Sequence, residues 1–295
     1  MHRPAVWPRW SFFQALPPGP GLAFVVIQHL SPDYKSMMAS ILSKYTPMAV
    51  AEGEEGMAIA PNHVYLIPPG KTMTVEKGRL HLTAKSTQRG LHLPIDAFFS
   101  SLAREYGERA IAVVLSGIGS DGSRGIRAIK EADGLVLVQE PKSAEFDGMP
   151  SAAAATGLAD FVLAPEAMPE VILNYARRLP LAPTPPLGPE GGQASADATL
   201  DTVLAILQEH AGVDFRQYKP SAVVRRIHRR LAINKCESLN EYVRLLEASD
   251  AEKSALYRDL LIGVTRFFRD PDAFEALQKK VLIPLLEAGR DPVRV

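Results

Sequence analysis

The sequence has few of the features that would place a protein outside the cell or in a membrane. Its 295 residues include one cysteine, Cys236, which excludes a disulfide within the chain and disfavours a zinc site built on cysteines. The longest apolar run, residues 22–27, is far shorter than the roughly 20 residues of a spanning helix. Pro4 and Pro8 interrupt the N-terminal segment, which lacks the apolar core of a signal peptide. We therefore predict a cytoplasmic protein without membrane insertion.

The sequence also lacks an excess of charge of either sign. Its 33 Lys and Arg residues balance its 33 Asp and Glu residues. No long-range field therefore attracts the whole chain to nucleic acid or to an anionic membrane. Electrostatic recognition has to come from local clusters.

Three short apolar runs dominate the first half of the chain. Residues 22–28 (LAFVVIQ), 110–115 (AIAVVL) and 134–139 (GLVLVQ) are continuous rather than alternating, as in strands that are buried on both faces of a parallel sheet. Helical patterns follow at 95–106 and 124–132, and shorter strand patterns between residues 64 and 83 suggest a small antiparallel insertion. The order predicts a doubly wound α/β domain with a mostly parallel sheet.

A stretch rich in proline and glycine divides the chain at residues 180–197, where the apolar content is too low to pack. Beyond it, five segments carry apolar residues at helical spacing: 200–211, 221–231, 239–248, 251–261 and 272–286. We predict the α/β domain at residues 1–179, a linker at 180–198 and a small all-α domain at 199–295.

Two polar residues follow the predicted strands at the edge where α/β proteins bind ligands. His29 follows the first run, and Asp121 lies in the glycine-rich segment SGIGSDG after the second. Such a pair can act as the base and the orienting group of a nucleophilic hydrolase. Taken alone, His29 is better explained by packing or capping than by catalysis, and the glycines fit either a phosphate-binding loop or a tight turn. His63, His81 and His92 share no metal-ligand spacing, so no metal is predicted.

Three segments resemble, in order and spacing, the catalytic domain of the chemotaxis protein-glutamate methylesterases (CheB type). They are VVIQHLSPD, the run A-x-x-V-V-L-S-G-I-G-S-D-G, and V-Q-E-P-x-S-A-x-F-x-G-M-P. The resemblance covers residues 16–178. It implies that His29 and Asp121 are the catalytic histidine and aspartate, and that the backbone amide of Ile118 lies at the oxyanion site. The implied reaction is a carboxylic ester hydrolysis that releases methanol from glutamyl methyl esters on receptor helices, without a cofactor.

The nucleophile of that family has no counterpart here. The family's serine lies in a G-x-S-x-G-G turn upstream of the segment that matches Leu16-Pro17-Pro18, and it would fall at or next to His2. Ser11 lies in a predicted helical stretch and is a poor substitute. We predict that the chain as given does not hydrolyse esters, because a triad without its nucleophile loses nearly all of its rate enhancement.

The all-α part contains a basic helix in which Arg225, Arg226, Arg229 and Arg230 surround an apolar stripe. A solvated basic face, an acidic protein partner and a phosphate backbone are three explanations for such a cluster. Nucleic acid is the weakest of them, because the net charge is zero and no aromatic residues are interleaved. The other two remain open on the residues alone.

The second half resembles the N-terminal domain of the chemotaxis receptor methyltransferases (CheR type), through DFRQYKPSAVVRRIHRRL and LLIGVTRFFRDP. The resemblance covers residues 199–295. It implies that Thr265 and Arg269 contact S-adenosylmethionine in a full-length methyltransferase, although Gly263 replaces the Asn of the family motif. It also implies that the four arginines dock acidic helices of methyl-accepting receptors.

Taken together, the two resemblances indicate part of a methylesterase–methyltransferase fusion in a chemotaxis or two-component signalling pathway. We expect both ends to be truncated, before the serine turn and before the cofactor-binding domain. A receiver domain of a response regulator is a possible further partner, and nucleic acid is not expected. The alternative is a catalytically inactive signalling or scaffold module that binds receptor-like helices.

Overall fold

The computed structural model describes residues 8–29, 37–85, 92–178, 193–218 and 220–261. Its strands are β1 (Phe24–Val26), β2 (Ala49–Glu52), β3 (His63–Leu66), β4 (Lys71–Glu76), β5 (Arg79–Ala84), β6 (Ile111–Val114), β7 (Leu135–Gln139) and β8 (Phe161–Leu163). Its α-helices are α1 (Pro8–Gln14), α2 (Met38–Leu42), α3 (Pro94–Tyr106), α4 (Gly125–Glu131), α5 (Gly148–Ala155), α6 (Met168–Arg178), α7 (Gln193–Ala211), α8 (Pro220–Ile233), α9 (Leu239–Ala248) and α10 (Asp250–Leu261). The described residues up to Asp259 belong to one compact unit.

Two parallel three-stranded sheets form the α/β part. One has the strand order β1-β3-β2, with Val25 opposite Tyr65. The other has the order β6-β7-β8, with Val113 opposite Leu137. Helix α2 lies between β1 and β2, α4 between β6 and β7, and α5 between β7 and β8, whereas β2 and β3 are joined by a segment without a helix. The predicted α/β fold with a parallel sheet is confirmed.

The three continuous apolar runs became β1, β6 and β7, and of these only β7 is buried throughout. All five residues of β7 are buried, and its Leu135 and Leu137 share a core cluster with Val64 and Leu66 of β3. Leu42 of α2 completes the layer. A strand that is covered on both faces needs apolar side chains at every position, which explains why these runs do not alternate.

The predicted antiparallel insertion is the hairpin β4–β5, in which Met73 pairs with Leu82. Its two-residue turn has positive φ at both Lys77 (49°) and Gly78 (68°), the conformation of the turn that matches strand twist. The hairpin is fastened to α3 by a hydrogen bond from Val75 N to Ser101 Oγ (3.1 Å). It therefore stabilises the helix that carries part of the candidate site.

The described region after the predicted linker, up to residue 261, is helical, as expected, and the helix predicted at 272–286 lies outside the described residues. Ser238 caps α9 by accepting from Glu241 N (3.2 Å), and the Glu241 carboxylate accepts from Glu237 N (2.7 Å), one residue before the cap, in a variant of the capping box. Helix α7 begins at Gln193, inside the stretch predicted as linker. The alanines of its first turns favour a helix once the prolines end.

Candidate functional site

The structure brings the two residues at the strand ends together. His29 lies three residues beyond β1, and its Nε2 is 2.9 Å from Oδ2 of Asp121, which follows β6. The Asp121 side chain is only 3% exposed, whereas that of His29 is 47% exposed. A buried carboxylate thus holds an accessible imidazole, an arrangement that can fix the tautomer and stabilise the protonated ring.

Helix α3 holds the Asp121 carboxylate in place. Its first-turn amides donate to both oxygens, from Ile95 N to Oδ2 (3.1 Å) and from Asp96 N to Oδ1 (3.0 Å). The first amides of a helix have no partner within the helix, and the positive end of its dipole attracts an anion. Asp121 is therefore kept in one orientation, with Oδ2 directed to His29.

Asp96, which sequence reasoning missed, links α3 to the segment that follows Asp121. Its Oδ1 accepts from Arg124 N (3.1 Å) and Gly125 N (2.6 Å), the first amides of α4. A side chain on Gly125 would clash, because its Cβ would lie 2.7 Å from Cβ of Phe99. The start of α3 binds Asp121, and Asp96 of α3 binds the start of α4. The Pro94-Ile95-Asp96 sequence marks a helix start. No local signal in the sequence shows that the Asp96 side chain caps a different helix.

Ile118 lies on a loop that is braced from the neighbouring strand end. Ser116 N donates to Oε1 of the fully buried Gln139 (2.8 Å), and Gly117 N donates to Phe146 O (2.9 Å). Cβ of an alanine at Gly148 would lie 3.0 Å from Gly119 N, so the two segments touch through their backbones. The Ile118 side chain is 77% exposed, and the oxyanion role of its amide stays a prediction.

His92 is a second histidine near the pair. Partial burial lowers the pKa of His92, and the positive charges of Lys85 and His29 lower it further, against the opposite influence of Asp121. The sequence gives His92 no metal-ligand spacing and no other partner, and only the fold places it near charged groups. Within the described part of the chain, no three His, Cys, Asp or Glu side chains could together hold a metal ion.

The arginines of α8 are not the solvated face that the sequence allowed. Arg226, Arg229 and Arg230 are 8%, 7% and 6% exposed, and only Arg225 has a half-exposed side chain. Their carboxylate partners belong to this chain, for example Asp160 for Arg229 and Glu252 for Arg230. The expectation of accessible guanidinium groups is corrected for three of the four, because folding buries them against acids distant in sequence. An external partner for them stays a prediction.

The predicted cofactor contacts, Thr265 and Arg269, lie outside the described residues. Among the helices that are described, none combines the length and the apolar character needed to cross a bilayer.

Comparison with known proteins gives two family matches. A model described as CheB methylesterase matches residues 10–172, more than half of the chain. A model described as CheR methyltransferase, all-alpha domain, matches residues 198–261.

Individual relatives agree with these matches. An uncharacterized 104.1 kDa protein of Rhodobacter capsulatus is 42% identical over 84% of this chain and 28% of its own length. The protein-glutamate methylesterase/protein-glutamine glutaminase of Moorella thermoacetica is 38% identical over 50% of this chain and 36% of its own length. The chain thus spans about a third of these curated relatives. Among solved structures, the Thermotoga maritima CheB methylesterase catalytic domain is similar, with a TM-score of 0.51 and 28% identity over 56% of this chain and 91% of that one.

Proposed function

The chain belongs to the CheB methylesterase family, and we propose that its α/β domain supplies the proton-transfer half of a protein-glutamate methylesterase site. The observation that carries the proposal is the 2.9 Å contact between His29 Nε2 and Asp121 Oδ2. His29 would take the proton of a serine nucleophile as general base and return it to the leaving methanol. Asp121 would orient the imidazole and stabilise its charged form.

The site also needs an oxyanion donor and a nucleophile, and the described residues support the first but not the second. The loop braced by Gln139 is suited to hold the Ile118 amide as an oxyanion donor, a role that requires a fixed donor. No described residue has been identified as the nucleophile, and Ser11 lies within helix α1. We propose that hydrolysis requires a serine turn in front of Leu16, as the family pattern has it. The substrate would be a glutamyl methyl ester on a receptor-like helix.

The helices after residue 193 would belong to a protein-glutamate methyltransferase. The match to the CheR all-alpha domain supports this assignment. S-adenosylmethionine would then be the cofactor of the complete enzyme, with Thr265 and Arg269 as its contacts. We place the domain boundaries at residues 179 and 199, as predicted from the linker composition.

A methanol-release assay on methylated receptor tests the esterase proposal. The chain as given should show no turnover above its His29→Ala variant. With a family-type first strand and serine turn placed before Leu16, turnover should appear. His29→Ala and Asp121→Ala should then abolish most of it, the aspartate change by about 10⁴-fold on the precedent of the serine-protease triad.

His81→Ala is the matched control, because His81 also pairs with a carboxylate, that of Glu55, at 2.9 Å but lies outside the site. Its turnover should equal that of the unmodified extended chain. Survival of activity within tenfold in Asp121→Ala would show that Asp121 is not the orienting group. Complete inactivity of the extended chain, with its fold intact, would favour the alternative of a non-catalytic module.

A further inference from the structure

A buried cluster of charges lies at the edge of the sheet opposite the candidate site. Strands β6, β7 and β8 are parallel, so the residues that precede them share one edge and those that follow them share the other. Asp133 and Gly134 precede β7, and Asp160 precedes β8. We call Asp133, the Gly134 carbonyl and Asp160 the acidic edge. Helix α8 packs its arginines against it.

Arg229 is the centre of this contact. Its Nη2 donates to Asp160 Oδ2 (2.5 Å) and to Gly134 O (2.7 Å), and its Nε donates to Asp133 O (2.9 Å). Its Nη1 donates to Asp259 Oδ2 (2.6 Å). All three nitrogens of the planar guanidinium are therefore engaged, which is the geometry in which arginine binds acidic groups best.

The other arginines are engaged in the same way. Arg225 and Arg226 donate through Nε to the two carboxylate oxygens of Asp133, the second at 3.3 Å. Arg230 forms a two-point contact with Glu252, whose Oε1 also accepts from Tyr242 Oη (2.8 Å). Each arginine of the helix thus has a carboxylate within the chain.

The cluster is close to neutral. Its cations are Lys130, Arg225, Arg226, Arg229 and Arg230, and its acids are Asp133, Asp160, Glu252 and Asp259. Burial would raise the pKa of Asp160, but the charges of Arg229 and Lys130 outweigh it and hold that pKa at about 2. Buried charges persist only when they are paired and hydrogen-bonded, and here the acidic edge supplies two of the four carboxylates.

We propose that the partner of the basic helix α8 is the acidic edge of the chain's own α/β domain, and that this contact withholds Arg226, Arg229 and Arg230 from acidic protein helices in solution. Without the two edge carboxylates, five cations would face two acids. Such an excess of buried charge cannot be maintained, so the helix should open and its guanidinium groups should become available to an external acidic helix. The proposal does not depend on esterase activity.

A binding titration on the full chain tests this inference. The probe is a fluorescently labelled, glutamate-rich helical peptide, titrated at low salt and followed by anisotropy. Asp133→Asn/Asp160→Asn should bind it at least about tenfold more tightly than the wild type, a difference of about 1.4 kcal/mol. Added salt should weaken that binding. The control Glu76→Gln/Glu166→Gln has the same change in net charge at exposed positions, and should bind as weakly as the wild type.

A second measurement needs no variant and so does not depend on the fold of one. The wild-type chain is treated with phenylglyoxal, and the modified arginines are located by mass spectrometry. Arg225, whose side chain is 49% exposed, should react, while Arg226, Arg229 and Arg230 should be protected. Reaction of Arg229 as fast as Arg225 would overturn the proposal. Equal peptide affinity of the wild type and a folded Asp133→Asn/Asp160→Asn variant would overturn it as well.

Discussion

The strongest prediction for stability concerns Arg229, because a single change there leaves several buried acceptors without a donor. In Arg229→Met, Asp160 would keep only Lys130 Nζ (2.7 Å) and Val136 N (2.9 Å) as donors. Asp259 would depend on the same Lys130 (2.8 Å). The two buried carboxylates would then share the Lys130 ammonium, with Arg230 Nη1 more distant, at 3.8 Å from Asp160 and 3.9 Å from Asp259.

The expected loss of unfolding free energy follows from that charge imbalance. Replacement of an entire buried ion network by apolar groups is often harmless, but removal of one partner leaves an uncompensated charge and costs about 3–5 kcal/mol. We expect that loss for Arg229→Met. Arg225→Met removes a contact of the same helix to Asp133, but its side chain is half exposed, so solvent screens the pair and the loss should be below about 1 kcal/mol.

Urea unfolding followed by circular dichroism at 222 nm measures the difference, because urea, unlike guanidinium, does not screen the charges. The midpoint of Arg229→Met should fall well below that of Arg225→Met at an unchanged m value. The midpoint of Arg229→Lys should lie between those of the wild type and Arg229→Met. Lysine restores the positive charge but not the planar set of guanidinium donors. If Arg229→Met and Arg225→Met differ by less than about 1 kcal/mol, the cluster does not contribute as argued.

Two further predictions concern a titration and a helix cap. The pKa of Asp160 in the folded chain is about 2, so its stabilising effect is complete above the unfolded value of about 3.9 and is lost as pH falls towards 2. The stability difference between wild type and Asp160→Asn should shrink by about 2 kcal/mol from pH 5 to pH 2, and a constant difference would contradict the assignment. Asp96→Ala removes the acceptor of Arg124 N and Gly125 N and should lower the unfolding free energy by about 1 kcal/mol in urea. Asp96→Asn keeps a capping oxygen and should lose less, so equal losses for the two variants would show that capping is not its role.

The parts of the fold that sequence reasoning predicted are those with a local signal. The fully buried strand β7 is apolar at its first four positions, and such a run can be recognised in the sequence without knowledge of its neighbours. Strands β2 and β8 contain four and three residues and were missed because, unlike the equally short β1 and β6, they do not lie within a longer apolar run. They exist because β3 and β7 offer them backbone partners, which is a tertiary effect.

The same distinction applies to the site and to the basic helix. His29 and Asp121 could be proposed because each directly follows an apolar run, and strand ends have a known place in α/β sheets. Asp96 could not, because the backbone donors that it binds lie 28 and 29 residues away. The partners of Arg226 and Arg229 on the acidic edge lie 93 and 69 residues away. Counting charges on one helix therefore cannot distinguish an exposed basic face from a buried one.

The two edges of the β6-β7-β8 sheet separate the candidate chemistry from the helix contact. His29 and the 116–121 loop lie beyond the carboxyl ends of the strands, whereas Asp133 and Asp160 lie before their amino ends. Occupation of the acidic edge by α8 therefore does not cover the imidazole, whose side chain is 47% exposed. Helix α4 joins the two edges, with Gly125 held by Asp96 at one end and Lys130 paired with Asp160 at the other. A change in the charge cluster should consequently alter stability first, and should affect the His29–Asp121 pair where it displaces α4.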